Sequence, residues 1–316
     1  MRRICLYHGA DLDGFCSGAI YDKYFTEKAS TLNNYEGHEI IPMNYGWEVP
    51  WEKLERAHVT LIDFCLQPWS EMERLMGIAG TVVLIDHHQT TIENWNTSLD
   101  TVKWDMCKVK AVLDEMKAGC ELAWEYYYPE FLMPTAVKLL GRYDVWDHSN
   151  ERALPFQYGM RNYDMRPDVG EKKWMWDDLL NFAAGQDLIR KLCDEGSIIL
   201  KYQSRQDEIG SKSTAFEIEW EGLNWVVSNS GMGRGSHFFD AVYDPEVHDG
   251  MMAFCFNGKE WKFALYSTKV KVQCGQITKR YGGGGHNGAA GFSYFDIPFQ
   301  LIGAKQIEKK VRPSHE

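Results

Sequence analysis

Three short stretches of this chain end in side chains that bind cations or move protons. The first is His8-Gly9-Ala10-Asp11-Leu12-Asp13-Gly14, the second is Asp63 at the end of an apolar run, and the third is Asp86-His87-His88. Further along come Gly141-Arg142-Tyr143-Asp144 with Asp147 and His148, then four glycines, Gly282 to Gly285, followed by His286. Carboxylate and imidazole are the donors of a divalent-cation site and the working groups of proton transfer. Carboxylates in a loop repel phosphate unless metal ions intervene, and the first stretch lacks the glycine density of a dinucleotide fingerprint. Each stretch also has an ordinary reading when taken alone. His8, Asp11 and Asp13 suit a solvated turn as well as a ligand set, Asp144 or Asp147 could be one more ligand, and His148 reads as structural. Four consecutive glycines let backbone N–H groups turn toward one anion, with His286 as a side-chain donor; a flexible turn is the plainer alternative.

The elements that must position these residues follow from the apolar pattern. Ile4-Cys5-Leu6-Tyr7, the run from Val59 to Ile62, and Val82-Val83-Leu84-Ile85 each suit a strand buried on both faces. Phe15, Ala19, Ile20 and Tyr24 recur at helical spacing after the first loop, and Ser70-x-x-Glu73 behind Pro68 predicts a capped helix to about Met76. An irregular strand is expected over Glu39 to Met43. Strands alternating with helices predict an α/β fold, a mostly parallel sheet with helices on both faces, whose strands' carboxyl ends share one edge. His8, Asp11, Asp13, Asp63, Asp86, His87 and His88 then converge there from eighty residues of chain. Lys108 to Tyr128 reads as two helical stripes broken at Gly119, and Thr135 to Leu140 as a helix running into the 141–148 patch.

At 316 residues, with 44% hydrophobic residues, the chain suits two domains with real cores. The expected division is 1–185, a connecting helix over 186–210, and a smaller mixed α/β domain over 211–316. Past Ser211 the runs shorten to β-like segments, with turns at Glu221-Gly222 and Asn257-Gly258. This domain also holds a glycine cluster at 228–236. Lys+Arg 34 against Asp+Glu 45 gives −11, which disfavours clamping long nucleic acid through many phosphates. Eight scattered cysteines with no C-x-x-C pair read as thiols in a reducing compartment. With no secretory leader and no apolar run near the ~18 residues of a membrane span, a cytoplasmic protein without membrane partners is expected.

In this order the motifs resemble those of the DHH phosphoesterase family. The resemblance spans nearly the whole chain: His-x-x-Asp-x-Asp-Gly at 8–14, Asp63, Asp86-His87-His88, Gly-Arg-Tyr-Asp at 141–144, and Gly-Gly-Gly-Gly-His-Asn-Gly-Ala-Ala-Gly-Phe at 282–292. The last resembles the phosphate-contacting motif of the C-terminal domain in nanoRNase, cyclic-dinucleotide phosphodiesterase and phosphoadenosine phosphatase branches. The resemblance implies one metal held by His8, Asp11 and Asp63 and a second by Asp13, Asp63, His87 and Asp144, with Asp63 bridging. Manganese is the first choice, cobalt or magnesium behind it. His88 is implied at the substrate phosphate and Asp86 in support, orienting a ligand histidine or a water. Arg280, Gly283, Gly284, Gly285 and His286 are implied in substrate binding. The implied activity is hydrolysis of phosphodiester bonds in short nucleotides, oligoribonucleotides or linear dinucleotides. A 3′-phosphoadenosine 5′-phosphate phosphatase, a cyclic-dinucleotide phosphodiesterase and a non-hydrolytic nucleotide sensor are the alternatives. Two departures bear on the substrate: Gln273-Cys274-Gly275 replaces the common Asp-Val-Ser, and Tyr266 stands where oligonucleotide-degrading members often carry arginine. A homodimer is allowed, though nothing in the sequence requires it.

Overall fold

The computed structural model describes residues 2–32, 35–101, 105–147, 149–169, 173–231 and 233–299, with the backbone of 305–306. His148 lies outside the described residues, as does Met232 of the first glycine cluster. The chain forms two compact units, Met1–Leu200 and Lys201–Glu316.

The first unit runs β1 (Arg3–His8), α1 (Leu12–Lys28), β2 (His38–Met43), α2 (Trp51–Leu54), β3 (His58–Ile62), α3 (Trp69–Ile78) and β4 (Thr81–Asp86). It continues with α4 (Gln89–Thr101), β5 (Val109–Leu113), α5 (Gly119–Tyr127), α6 (Thr135–Asp144), α7 (Ala153–Met160) and α8 (Lys173–Leu179). The sheet order is β2-β1-β3-β4-β5, parallel throughout. Alternate strand residues feed two cores. Cys5, Tyr7, Ile62 and Ile85 pack with residues of α1, α5 and α6 on one face. Ile4, Leu6, Val59, Leu61, Val82 and Leu84 pack with Met72 and Leu75 of α3 on the other. Because β1 connects to β2 on one side while β3 lies on the other, the chain direction switches between β1 and β3. The carboxyl ends flanking such a switch border the crevice where open α/β sheets bind ligands.

Three local expectations change. Val109 to Leu113 is not helical; it is the fifth strand, paired in parallel with Val82 to Asp86. Five residues with two valines satisfy a short edge strand, and the helical spacing of 109, 112, 113 and 116 is coincidental. The helix α3 starts at Trp69 with Pro68 at its N-cap and no side-chain cap, so Ser70 sits inside the first turn and forms no capping box. Finally, α6 extends to Asp144, which places that carboxylate on its last turn.

The 30-residue helix α9 (Gly185–Thr214) leads from the first unit into the second, so the division falls inside a helix. The second unit contains β6 (Ala215–Trp220), β7 (Leu223–Asn229), β8 (Gly250–Phe256), β9 (Trp261–Tyr266), α10 (Cys274–Lys279), β10 (Gly284–Gly285), β11 (Ala289–Tyr294) and β12 (Lys305–Gln306). Its sheet order is β10-β11-β9-β8-β7-β6-β12, with β7 and β8 parallel and the other pairs antiparallel. Glu221 and Gly222 both take positive φ, 55° and 71°, as a two-residue primed hairpin needs. The β8–β9 hairpin instead closes through four residues: Asn257 N donates to the Glu260 carbonyl at 3.1 Å, and the Asn257 side chain accepts from Lys259 and Glu260 amides. Trp220, Trp225, Phe254, Phe263 and Phe292 fill the core beneath this sheet. Among the described residues, no helix is long and apolar enough to cross a membrane.

Candidate metal centre

All the acidic and imidazole residues expected to converge do so at the carboxyl edge of the parallel sheet. His8 is the last residue of β1. Asp11 is the N-cap of α1, its Oδ1 accepting the Gly14 amide at 2.9 Å, and Asp13 is buried in the helix's first turn. Gly14 must be glycine here, since a Cβ would fall 1.9 Å from the His8 carbonyl oxygen. Asp63 follows β3 with φ of 57°, a left-handed conformation that few side-chain-bearing residues adopt. Its N–H donates to the Ile85 carbonyl at 2.9 Å, so pairing with β4 holds the turn in place. A backbone strained by about 1–3 kcal/mol is thus fixed where the side chain must face the cleft.

Asp63 lies at the middle of the cluster. Its Oδ2 is 3.5 Å from His8 Nδ1, which is itself 3.1 Å from Asp11 Oδ2. Its Oδ1 is 3.1 Å from His87 Nε2, and that nitrogen lies 3.3 Å from Asp144 Oδ2 and 3.7 Å from Asp13 Oδ2. Donor atoms of His8, Asp11 and Asp63 form one group within 4.8 Å of one another, and those of Asp13, His87 and Asp144 form a second. Asp147 stays out of both, paired with Arg142 Nη1 at 3.0 Å. Asp86 does not orient His87's ring. Its Oδ1 takes His88 Nδ1 at 2.7 Å together with the amides of His87 at 2.7 Å and His88 at 3.2 Å.

The protonation directions follow from this crowding. Burial would lower His8, yet the adjacent Asp11 and Asp63 carboxylates outweigh it and push it up to about 11. His87 is also driven upward, burial being overcome by Asp63, Asp144 and Asp13. Burial and the neighbouring Asp63 and Asp144 carboxylates raise Asp13, and burial lifts Asp144 to about 6 despite His87. Asp63 moves the other way: burial is outweighed by hydrogen bonds from His8 and His87. These are the directions of a site short of positive charge. Five aspartates meet three histidines, and among the described residues no lysine or arginine pairs with any of the five. His8 Nδ1 is buried beside a carboxylate oxygen without a well-aligned hydrogen bond. Oxygen and imidazole donors grouped in two sets about a shared carboxylate fit a pair of hard-to-borderline divalent ions.

Several residues that build the centre escaped the sequence pattern. Gly119, read there as a helix break, is the first residue of α5. Gly119 N and Cys120 N donate to Asp13 Oδ2 and Oδ1, each at 2.8 Å, so a helix N-terminus holds the buried carboxylate. A Cβ on Gly119 would fall 2.5 Å from Asp63 Cβ. Buried Glu121, two residues on, occupies the space left by Gly141, where an added Cβ would meet its Cδ at 2.5 Å. Only the glycines at 119 and 141, each beside a helix start or a motif, could have signalled these approaches.

In the second unit, the expected anion site takes a different form. Gly282 N donates to the Lys279 carbonyl at 3.2 Å, Gly283 N to Thr278 at 2.9 Å, and His286 N to Ala289 at 2.8 Å. These amides are therefore engaged in the turn and cannot converge on one anion. Gly284 and Gly285 pair with Gly291 and Ala290, and a Cβ at Gly283 would fall 2.2 Å from the Gly291 carbonyl oxygen. Close packing against β11 accounts for Gly283 and Gly285, and a positive φ of 77° for Gly282. Arg280 forms an ion pair with Glu221, which also accepts the Tyr281 hydroxyl at 2.6 Å.

No protein-family model matches the sequence. The chain is 24% identical to an uncharacterized protein of Acanthamoeba polyphaga mimivirus over 95% of its own length and 70% of the relative's. Among solved structures it resembles a DHH-domain protein described as a member of a family of ribosomal proteins. That match has a TM-score of 0.58 at 13% identity and covers 93% of this chain and 83% of the other. It also resembles a pGpG-specific phosphodiesterase of Vibrio cholerae, with a TM-score of 0.47 at 14% identity over 93% and 94% of the two chains. The fold is that of the DHH domain.

Proposed function

We propose that the protein is a metal-dependent phosphoesterase that hydrolyses phosphodiester bonds of short nucleotides, oligoribonucleotides or linear dinucleotides. The observation that carries this reading is the position of Asp63, which directs one carboxylate oxygen toward each donor group. His8, Asp11 and Asp63 would hold one divalent ion, and Asp13, Asp63, His87 and Asp144 the other, with manganese first and cobalt or magnesium behind it. When bound, such a pair supplies Lewis acidity at phosphorus and an acidified water for in-line displacement.

The chain's own residues supply the rest. His88 is raised, the opposing effect of burial being overcome by Asp86, which favours the protonated ring. With Nδ1 committed to Asp86 at 2.7 Å, its charge is placed to stabilise the phosphoryl oxygens. Asp86 fixes the orientation of that imidazole. Asp13, tied to the α5 amides, keeps its ligand geometry when the neighbouring carboxylates repel it. In the second unit, Arg280, Gly283, Gly284, Gly285 and His286 are the residues proposed for substrate binding. A net charge of −11 suits a short substrate better than a long strand.

The test offers Mn²⁺-loaded protein a linear dinucleotide, longer RNA, 3′-phosphoadenosine 5′-phosphate, a cyclic dinucleotide and pyrophosphate in parallel. Fastest turnover of the linear dinucleotide is expected. Folded, metal-loaded protein that cleaves none of them would refute the enzyme and leave a nucleotide sensor.

A further inference from the structure

The strand β2 ends beside the metal-centre loop, its Met43 carbonyl accepting the Gly9 amide at 2.8 Å. There the chain turns sharply through Asn44-Tyr45-Gly46-Trp47. Trp47 N donates to the Asn44 carbonyl at 3.1 Å, Tyr45 N to the Asn44 side chain at 2.8 Å, and Gly46 takes φ of 81°. This is the pattern of a turn that requires glycine at its third position, and it leaves Tyr45 at the outer corner. The Tyr45 ring centroid lies 5.2 Å from that of Phe64 and 6.0 Å from the His8 ring. Phe64, directly after Asp63, is buried; Tyr45 is 45% exposed. Among the described residues its hydroxyl makes no hydrogen bond. A large ring is thus backed by a fixed phenylalanine, placed next to a metal-donor imidazole, and left about half open to solvent. Completing the core does not explain it.

We infer that Tyr45 is a stacking surface for the nucleobase of the substrate. The inference rests on the proposed function, since a short nucleotide carries a flat ring one sugar away from the phosphate at the metal centre. Every base has a π-face, so stacking on tyrosine tolerates sequence while it excludes phosphoesters that lack a ring. Phe64 fixes the tyrosine from behind, so little ring motion is lost when a base docks. The site would therefore select nucleotides over aliphatic phosphoesters through KM.

The experiment compares wild-type, Tyr45→Phe, Tyr45→Trp and Tyr45→Ala proteins, each with Mn²⁺, on a linear dinucleotide and its base-free counterpart. Base stacking measured by alanine substitution implies that Tyr45→Ala lowers the preference for the base-bearing substrate roughly 5- to 100-fold, seen in KM. Phe and Trp should keep it. An Ala variant with undiminished base preference overturns the inference. So does a Phe variant that loses as much as Ala, because the hydroxyl would then be the contact. Calorimetry of Mn²⁺ binding to the Ala variant should match wild type; loss of metal would make Tyr45 part of the ion site and also overturn stacking. Should the wild type cleave no phosphoester, the enzyme reading fails separately. The stacking role is then read from binding of adenosine 5′-monophosphate against ribose 5-phosphate, where wild type should prefer the nucleotide and Tyr45→Ala should not.

Discussion

Replacing Gly119 by alanine sets helix propensity against the metal centre. Alanine favours a helix over glycine by about 1 kcal/mol, which would stabilise the start of α5. The new Cβ, however, would lie 2.5 Å from Asp63 Cβ and 3.0 Å from its Cγ. Carbon atoms pack at about 3.5–4.0 Å, so one partner must move by about 1 Å. Asp63 cannot retreat easily, being held at φ of 57° with its amide on the Ile85 carbonyl. The helix is held as well: Gly119 N and Cys120 N grip Asp13, and Leu122, Ala123 and Trp124 are buried. Overpacking of this kind costs about 1–3 kcal/mol, partly offset by propensity, so the net loss of stability is about 0–2 kcal/mol. A melting temperature a few degrees lower should report it. Displacement of a shared carboxylate by about 1 Å has a far larger effect on chemistry, on the order of 100-fold in turnover. The expected signature is a folded protein with weak Mn²⁺ binding by calorimetry and little phosphoesterase activity. Wild-type metal affinity and turnover in Gly119→Ala would refute the claim that α5 and Asp63 are packed to this tolerance.

Asp63→Ala should abolish Mn²⁺ binding at both positions; calorimetry that still finds one full-affinity ion would refute the shared carboxylate. In the second unit, Lys271 and the Asn224 amide, helped by Lys269, hold Asp249 down to about 2. A depressed carboxyl stabilises the fold above its unfolded value of about 3.9 and loses that contribution as pH falls toward 2. Asp249→Asn should therefore be less stable than wild type by about 1 kcal/mol in urea at pH 7, with the gap closing between pH 4 and 2; a pH-independent gap would contradict this. Arg234, from the first glycine cluster, meets buried Asp207 at 2.7 Å, and Gln203 meets the same oxygen at 2.8 Å. Arg234→Ala should destabilise the protein by about 2–3 kcal/mol by stranding that carboxylate, and adding Asp207→Asn should restore much of the loss in urea denaturation.

The parallel sheet was legible because β1, β3 and β4 are apolar runs buried on both faces, a pattern that few other elements produce. Its edge strand was not: Val109 to Leu113 is short, and its valine and leucine spacing also suits a helix stripe. Asp11, Asp13, Asp63 and the Asp86-His87-His88 triplet could be placed together because each ends or follows a strand, and parallel topology brings such ends to one edge. Spacing alone did not separate Asp144 from Asp147; the resemblance named Asp144, and the length of α6 is what brings it to His87. Glu121 and Tyr45 carry no local signal, and Gly119 shows only as a break in the helical pattern. Their roles arise from close approach between segments far apart in the chain, which periodicity does not record. The glycine run shows the reverse case: a conspicuous motif whose amides turn inward to Lys279 and Thr278.

The grip of α5 on Asp13 joins residues 106 positions apart. The donor group of Asp13, His87 and Asp144 therefore closes only once α5 and α6 have formed. During synthesis the first histidine and the two aspartates after it emerge early, yet their carboxylate partner amides and the last ligand follow more than a hundred residues later. Until α6 leaves the ribosome, the nascent chain holds a set of mutually repelling acids with no enclosing frame. Ion capture and closure of the first unit should then coincide, and free metal would act on yield as well as on activity, by drawing the folding equilibrium toward the only state that can bind it.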